Sequence, residues 1–308
     1  MKTLNLTDLN KSDIKYKISK FPDGQQNIVI LSNNRDTFSH IEANDSIEIK
    51  SRLNNWLDLE LIVCTVASLR ELGVEEIHLY VPYIMGARSD RKFEEGGNNY
   101  LRDVICPIIN SLNFKTVTCI DPHSDVLEAC IKGFKKESNL QLVKFAFNDI
   151  FNLICGETAY LKQDKFILVS PDAGASKKIY KLAEEIGYKG DIIVCSKDRD
   201  ENGKLTKIEV PLTMYDNKPD LIIIDDICDG GATFINIAKA IEEHEWEYGK
   251  KYLIVTHGIF SKGYTELSKY FDGIYCTNSY KDIEIFPTVA CTLKLPNGIN
   301  FVKQLNVF

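Results

Sequence analysis

The segment 221-LIIIDDICDGGATF-234 decides the fold of this 308-residue chain. Its first four residues, Leu221–Ile224, are all apolar and lack the alternation of a half-exposed strand, which predicts a strand of a parallel sheet buried on both faces. Two acids follow, and a run of very small residues then opens a helix. Ligands of open α/β sheets bind at the carboxyl ends of the strands, so the segment predicts a binding site as well as a fold.

Acidic residues cluster at the end of this predicted strand. Asp225 and Asp226 can accept hydrogen bonds from the vicinal hydroxyls of a sugar. The alternative is an ordinary strand-to-helix turn whose acids are solvated helix caps. A third acid, Asp229, follows Asp225 by four residues and favours a phosphoribose site.

The small residues that follow predict a loop around a phosphate. Gly230, Gly231 and Ala232 allow backbone N–H groups to close around the anion, and the helix that follows adds the positive end of its dipole. Thr233 can either cap this helix or donate a hydrogen bond to the phosphate.

Short apolar runs alternate with amphipathic stretches along the whole chain. The predicted strands are Asn27–Leu31, Glu76–Val81, Thr116–Ile120, Phe166–Val169, Asp191–Cys195, Leu221–Ile224 and Tyr252–Val255. The predicted helices are Trp56–Leu72, Leu101–Leu112, Ser176–Ile186, Thr233–Glu245 and Gly263–Tyr270. This alternation predicts an α/β fold of parallel sheets with helices on both faces. The pattern runs twice, so we predict two domains, 1–142 and 143–308, and a polar loop at Lys197–Thr206.

Composition narrows the function classes. A net charge of −7 and a pI of about 5.4 disfavour a non-specific nucleic-acid binder, which usually carries a basic field. The nine cysteines form no Cys-x-x-Cys pair, which predicts buried, reduced thiols. The N-terminus lacks the apolar stretch of a signal peptide, and no run approaches the roughly 20 apolar residues of a membrane span. We therefore expect a cytoplasmic protein that binds neither nucleic acid nor membrane.

Several motifs together resemble one enzyme family. The segment 221–234 resembles the phosphoribosyl-binding signature that type I phosphoribosyltransferases share with phosphoribosyl pyrophosphate (PRPP) synthetases. Four more segments are similar to PRPP synthetases: 81-VPYIMGARSDRKF-93, 118-TCIDPHSDVLEA-129, 169-VSPDAGASKK-178 and 195-CSKDRD-200. Phosphoribosyltransferases share only the region Asp225–Thr233. The resemblance implies two tandem type I phosphoribosyltransferase-like domains, each a parallel sheet flanked by helices.

The resemblance implies catalytic and metal-binding residues. Lys197 and Arg199 would lie on a flexible loop and close over the reacting phosphates. His123 and Asp172 would help to hold the Mg²⁺ that accompanies ATP.

It also implies an ATP site and a ribose-phosphate site. Arg88 and Asp90 would belong to the ATP site, and Phe21 and Asp23 would contact adenine from a neighbouring subunit, which predicts a homodimer or a larger homo-oligomer. The ribose-phosphate site would consist of Asp225, Asp226, Asp229, Gly230, Gly231, Ala232 and Thr233.

The implied reaction moves the β,γ-pyrophosphate of Mg-ATP to the C1 hydroxyl of ribose 5-phosphate, giving AMP and PRPP. The chain departs from the family at Gln25, at Ser89, in the segment after Lys92 and at Gly230, where the family has threonine. Gly230 makes room for a larger acceptor, so an alternative is ADP-ribose, converted to ADP-ribose pyrophosphate for NAD⁺ synthesis. A catalytically silent regulatory homologue and a PRPP-consuming phosphoribosyltransferase are further alternatives.

Overall fold

The computed structural model describes residues 1–31, 41–151, 165–199, 205–283 and 302–308, apart from the side chains of residues 199, 205 and 206. These residues form two compact units. One comprises Met1–Ser138 with Val307–Phe308, and the other comprises Asn139–Asn306. The second unit begins with the helix Leu140–Ile150, so the predicted division between residues 142 and 143 falls inside this helix.

The first unit is built on a five-stranded parallel sheet. Its described strands are β1 (Lys2–Asn5), β2 (Tyr16–Lys20), β3 (Gln26–Ile30), β4 (Ser46–Lys50), β5 (Glu76–Tyr80), β6 (Thr116–Ile120) and β7 (Phe134–Glu137). Its described α-helices are α1 (Trp56–Glu71), α2 (Cys106–Ser111), which continues a π-helical turn at Leu101–Ile105, and α3 (Val126–Cys130). The sheet order is β1-β4-β5-β6-β7, and every neighbouring pair is parallel. The strands β2 and β3 form a separate antiparallel hairpin.

The second unit is built on a six-stranded parallel sheet. Its described strands are β8 (Phe166–Ser170), β9 (Ile192–Val194), β10 (Ser196–Arg199), β11 (Leu205–Glu209), β12 (Asp220–Cys228), β13 (Lys251–Gly258), β14 (Gly273–Thr277) and β15 (Val302–Leu305). Its described α-helices are α4 (Leu140–Ile150), α5 (Ala173–Glu185) and α6 (Ala232–Glu242). The sheet order is β15-β14-β13-β12-β8-β9, with β12 near the centre.

Helices cover both faces of this second sheet. Leu221 and Ile223 of β12 pack in one core cluster with Phe234 and Ile237 of α6. Residues 222 and 224 point to the opposite face and pack in a second cluster with α4 and α5. Burial on both faces explains why β12 is continuously apolar, and the predicted α/β class with parallel sheets flanked by helices is confirmed.

Three of the predicted elements differ from the structure. The strand predicted at Asn27–Leu31 exists, but it pairs with β2 in the hairpin and not in the parallel sheet. The helix predicted at Gly263–Tyr270 is wrong, because within it only Leu267–Lys269 is helical and forms a 3₁₀ turn. The loop predicted at Lys197–Thr206 is wrong at its two ends, where β10 and β11 pair antiparallel; residues 200–204 lie outside the described residues. Charged sequences can also form the backbone hydrogen bonds of an antiparallel pair, so the polar composition of this segment did not predict the two strands.

Most of the described cysteines are the buried, reduced thiols that the composition predicts. Within the described ranges all cysteines are free thiols, and Cys106, Cys119, Cys195, Cys228 and Cys276 are buried. None of the helices in the described part of the chain combines the length and the apolar character needed to cross a membrane.

Phe166 provides a test of the second core. Its ring is 1% exposed and lies 4.9 Å from the ring of Tyr188, 5.0 Å from Phe151 and 5.2 Å from Phe147, between ring centroids. Phe166→Ala should lower the free energy of unfolding by about 3–5 kcal/mol, because it removes buried apolar surface and leaves a cavity. The measurement is urea denaturation. Tyr180→Ala is the control, since Tyr180 is 54% exposed and its loss should cost less than about 0.5 kcal/mol. Similar losses in the two variants would contradict this account of the core.

Candidate functional site

The carboxyl ends of two adjacent strands bring the acidic residues of the second unit together. The strands β8 and β12 are parallel neighbours, paired from Phe166 opposite Asp220 to Val169 opposite Ile223. Asp172 follows the end of β8, and Asp225 lies near the end of β12. Asp172 and Asp225 therefore lie at the same edge of the sheet, and the charge of Asp172 adds to the burial and the Asp226 charge that raise the pKa of Asp225.

The two consecutive acids of β12 occupy different environments. The Asp226 side chain is 6% exposed, and its Oδ2 atom lies 2.9 Å from Nζ of Lys178, which forms an ion pair with it. Desolvation and the charge of Asp226 raise the pKa of Asp225 well above its ordinary value. Hydrogen bonds from sugar hydroxyls or a nearby cation would favour the charged form of Asp225. The pair can therefore hold a ligand that donates hydrogen bonds.

The turn after β12 exposes backbone N–H groups at the start of α6. Gly231 adopts a left-handed conformation with φ of 79°, and a Cβ atom there would lie 3.1–3.3 Å from the side chain of Leu267. Both facts require glycine. Gly231 is the N-cap and no side chain caps the helix, so of the two roles suggested for Thr233 the structure does not show capping. The first N–H groups of a helix have no intrahelical partner, and together with the Thr233 hydroxyl they suit an anion.

Asp172 begins helix α5 and forms an ion pair with Lys197. Its Oδ1 atom accepts a hydrogen bond of 2.9 Å from the Ala175 N–H, and its Oδ2 atom lies 2.6 Å from Nζ of Lys197. Burial alone would raise the pKa of Asp172, but Lys197 and the Ala175 N–H together lower it. The side chain of Lys197 is 12% exposed, so the lysine reaches from β10 into the edge that carries the acids.

The other predicted catalytic cation lies on the same strand. Arg199 is the last residue of β10 and is paired in register with Leu205 of β11. The side chain of Arg199 lies outside the described part of the structure, and its predicted role stays a prediction.

In the first unit, two predicted segments lie at the ends of adjacent strands. Arg88 and Asp90 follow β5, and His123 follows β6, which pairs parallel with β5. The carbonyl of Pro82 accepts hydrogen bonds from the Ile120 N–H and the Cys119 thiol at 3.1 Å each, which joins the two segments. Arg88 and His123 are exposed. The residues are thus accessible from one edge of this sheet.

Phe21 and Asp23 lie in the turn between β2 and β3. The backbone closes this turn with hydrogen bonds from Phe21 N–H to Gln25 carbonyl at 2.8 Å and from Gly24 N–H to Phe21 carbonyl at 2.9 Å. The Phe21 side chain is 52% exposed at the tip of the hairpin, where an aromatic ring is free to contact a planar ligand.

Two lysines at the second unit's edge were not among the predicted site residues. Lys178 lies one turn into α5 and pairs with Asp226, 48 residues away in sequence. In the sequence, Lys178 is marked only by the pair of lysines that ends 169-VSPDAGASKK-178. Such a pair is also typical of an exposed helix face. Lys262 lies against Gly230, and no local pattern marks it.

Asp172 is the predicted metal ligand of the second unit. Among the described residues no group of three or more His, Cys, Asp or Glu side chains is arranged to bind a metal. Mg²⁺ typically takes one or two carboxylates, keeps several waters and shares substrate phosphates, so a larger protein cluster is not required. Asp172 offers a carboxylate with a lowered pKa, although both of its oxygens are engaged. His123, the other predicted ligand, belongs to the first unit.

Two substitutions of Asp172 separate helix capping from charge. Asp172→Ala should destabilise the protein by about 1 kcal/mol more than Asp172→Asn, because asparagine keeps an oxygen that accepts from the Ala175 N–H. The loss of the ion pair is common to both variants. Urea denaturation provides the comparison, and equal destabilisation by both variants would argue against the capping role.

Several ribose-phosphate pyrophosphokinases are similar to this chain in sequence. No established protein-family profile matches the chain. A ribose-phosphate pyrophosphokinase of Mycoplasmopsis pulmonis is 27% identical over 235 residues, which cover 75% of this chain and 67% of that protein. One from Saccharolobus solfataricus is 28% identical over 227 residues, covering 73% and 71%. One from Pyrococcus abyssi is 25% identical over 274 residues, covering 86% and 84%.

A solved structure has the same fold. The phosphoribosylpyrophosphate synthetase from Mycobacterium smegmatis matches with a TM-score of 0.71 over 97% of this chain and 88% of that one, at 15% sequence identity. At this identity the match establishes the fold, and the sequence relatives carry the family resemblance. The resemblance predicted from the motifs is therefore confirmed: this chain is similar in sequence to the ribose-phosphate pyrophosphokinases, an enzyme family, and has the fold of a phosphoribosylpyrophosphate synthetase.

Proposed function

We propose that the protein transfers the β,γ-pyrophosphate of Mg-ATP to the C1 hydroxyl of ribose 5-phosphate, giving AMP and PRPP. One observation carries the proposal: the acid pair of β12, the uncapped start of α6 and the Asp172–Lys197 ion pair share one edge of the second sheet. Such an edge offers groups for a sugar, a phosphate and a developing negative charge. The names of the sequence relatives support ribose phosphate as the acceptor.

The acceptor would bind at the end of β12. Asp225 would accept hydrogen bonds from the ribose hydroxyls, with Asp226 held in place by Lys178. The backbone N–H groups from Gly230 to Thr233 would bind the 5-phosphate. Fixing both ends of the sugar orients the C1 hydroxyl, which lowers the entropic part of the barrier.

The cations of β10 would act on the transferred group. The Lys197 ammonium rests on Asp172 and lies 2.6 Å from its carboxylate. Phosphates of a bound nucleotide would compete with Asp172 for this ammonium, and Lys197 together with Arg199 would stabilise charge on the transferred group and on the departing AMP. Mg²⁺ would supply further charge neutralisation when bound with the substrate phosphates, and its predicted ligands are Asp172 in the second unit and His123 in the first.

The remaining predicted residues would belong to an ATP site in the first unit. Arg88 and Asp90 would contact the nucleotide, and Phe21 and Asp23 would contact adenine from a second copy of the chain. The exposure of Phe21 supports such a contact. The homo-oligomer and the cytoplasmic location stay predictions.

Release of AMP from Mg-ATP tests the proposed function. AMP should appear with ribose 5-phosphate and stay at background without an acceptor. ADP-ribose should give less AMP, because the relatives' names point to ribose phosphate and only Gly230 favours the larger acceptor. Turnover with ADP-ribose alone would mean that ADP-ribose, and not ribose 5-phosphate, is the acceptor. If no AMP appears with either acceptor, the result would favour the alternative that the protein is a catalytically silent homologue.

The two cations of β10 test the mechanism. Lys197→Ala and Arg199→Ala should each lower kcat at least about 100-fold, because each removes a charge that stabilises the transition state. For Lys197→Ala the free energy of unfolding should fall by no more than about 1 kcal/mol, since the ion pair with Asp172 is partly exposed. Lys207→Ala is the matched control, because Lys207 lies on β11 of the same ribbon and pairs with Glu209. Wild-type kcat in both test variants would contradict the mechanism.

A further inference from the structure

The side chain of Lys262 lies across the loop that precedes α6. A Cβ atom built on Gly230 would lie 3.4 Å from both Cδ and Cε of Lys262 and 3.6 Å from its Cγ. These are ordinary contact distances, so the methylene chain of the lysine occupies the space beside the glycine. The room that Gly230 provides is therefore filled by the stem of Lys262.

The backbone that carries Lys262 is fixed to the end of β12. The N–H groups of Ile259 and Phe260 donate to the Cys228 carbonyl at 2.9 and 3.1 Å, and the Ser261 N–H donates to the Asp229 carbonyl at 3.2 Å. Phe260 is 2% exposed and has a left-handed backbone with φ of 46°. Because the Phe260 side chain is buried and its backbone conformation is strained, the surrounding structure must hold this backbone in one position. Lys262 therefore starts from a fixed base, although its side chain is exposed.

Charge distribution distinguishes Lys262 from the other lysines at this edge. Lys178 and Lys197 each form an ion pair with a site carboxylate, Asp226 and Asp172 respectively. Within the described ranges the Lys262 ammonium has neither an ion pair nor a hydrogen bond. A phosphate bound at the start of α6 would stand close to three acids of the segment 225–229, whose repulsion a further cation offsets. Gly230 itself contributes no side-chain donor.

We propose that Lys262 binds the phosphate group of the acceptor and is a specificity-determining residue of the ribose-phosphate site. The inference rests on the proposed function for the identity of the acceptor. Its chemistry is that of a ribose carrying a 5-phosphate group, either as a monoester or within a diphosphate. Lys262 supplies the charge while the backbone N–H groups of the loop fix the geometry.

Lys262→Met separates charge from packing, because methionine keeps an unbranched stem over Gly230 and loses the ammonium. In steady-state AMP release, Lys262→Met should raise KM for the acceptor about tenfold, with kcat and KM for ATP unchanged, since the lost interaction binds ground state and transition state alike. Lys262→Arg should stay within about threefold of wild type because it keeps the charge. Lys269→Met is the matched control: Lys269 lies in the same connection and pairs with Glu266 on the surface.

The outcomes separate this inference from the proposed function. A raised KM for ribose 5-phosphate alone assigns Lys262 to a phosphate monoester, and a raised KM for ADP-ribose alone assigns it to a diphosphate. An unchanged acceptor KM in Lys262→Met, or a change confined to KM for ATP, overturns the inference while the proposed function stands. If the wild-type protein releases no AMP with either acceptor, titration calorimetry with inorganic phosphate still tests whether Lys262 binds a phosphate group. Weaker binding by Lys262→Met supports the inference, and equal binding overturns it.

Discussion

The burial of β12 on both faces is the constraint on which the second unit depends. Residues 221–224 are each at most 4% exposed, and they divide between two hydrophobic clusters on opposite sides of the sheet. Burying an aliphatic side chain of this size stabilises a fold by about 1.5–3 kcal/mol, so this strand cannot shift along its neighbours without a large loss. The register fixed in this way sets where the strand ends, and with it the position of Asp225, Asp226 and the loop before α6.

The same edge carries an electrostatic conflict that the fold only partly relieves. Three acids lie in the segment 225–229, and Asp172 lies beside them at the end of β8. Lys178 and Lys197 each neutralise one carboxylate, yet the pKa of Asp225 remains raised. Local conflicts of this kind in an otherwise consistent fold concentrate at functional sites. Cations and hydrogen-bond donors of a bound ligand would relieve the repulsion.

Much of the fold was predictable because its strands are buried on both sides. The predicted strand Thr116–Ile120 has the bounds that the structure gives, and the predicted helix at Trp56 begins where α1 begins. The strands β2 and β4 were missed, since YKISK and SIEIK are short and rich in charge. In β4 the alternating Ile47 and Ile49 are fully buried, so the pattern was present but short, and in β2 only Tyr16 is buried. The helix predicted after Gly263 was wrong, since only Leu267–Lys269 is helical there, although Leu267 is buried and lies beside Gly231.

The sequence by itself determined the α/β class, the central strand with its acid pair and glycine turn, and the resemblance that names a reaction. These features are local, because each depends on residues within one strand, one turn or one helix. Only the tertiary structure decided which lysine forms an ion pair with which carboxylate. Lys178 and Asp226 are 48 residues apart, Lys197 and Asp172 are 25 residues apart, and Lys262 reaches Gly230 from the connection after β13. Such contacts follow from the order of strands in the sheet, which brings distant residues to one edge, and no local periodicity records that order.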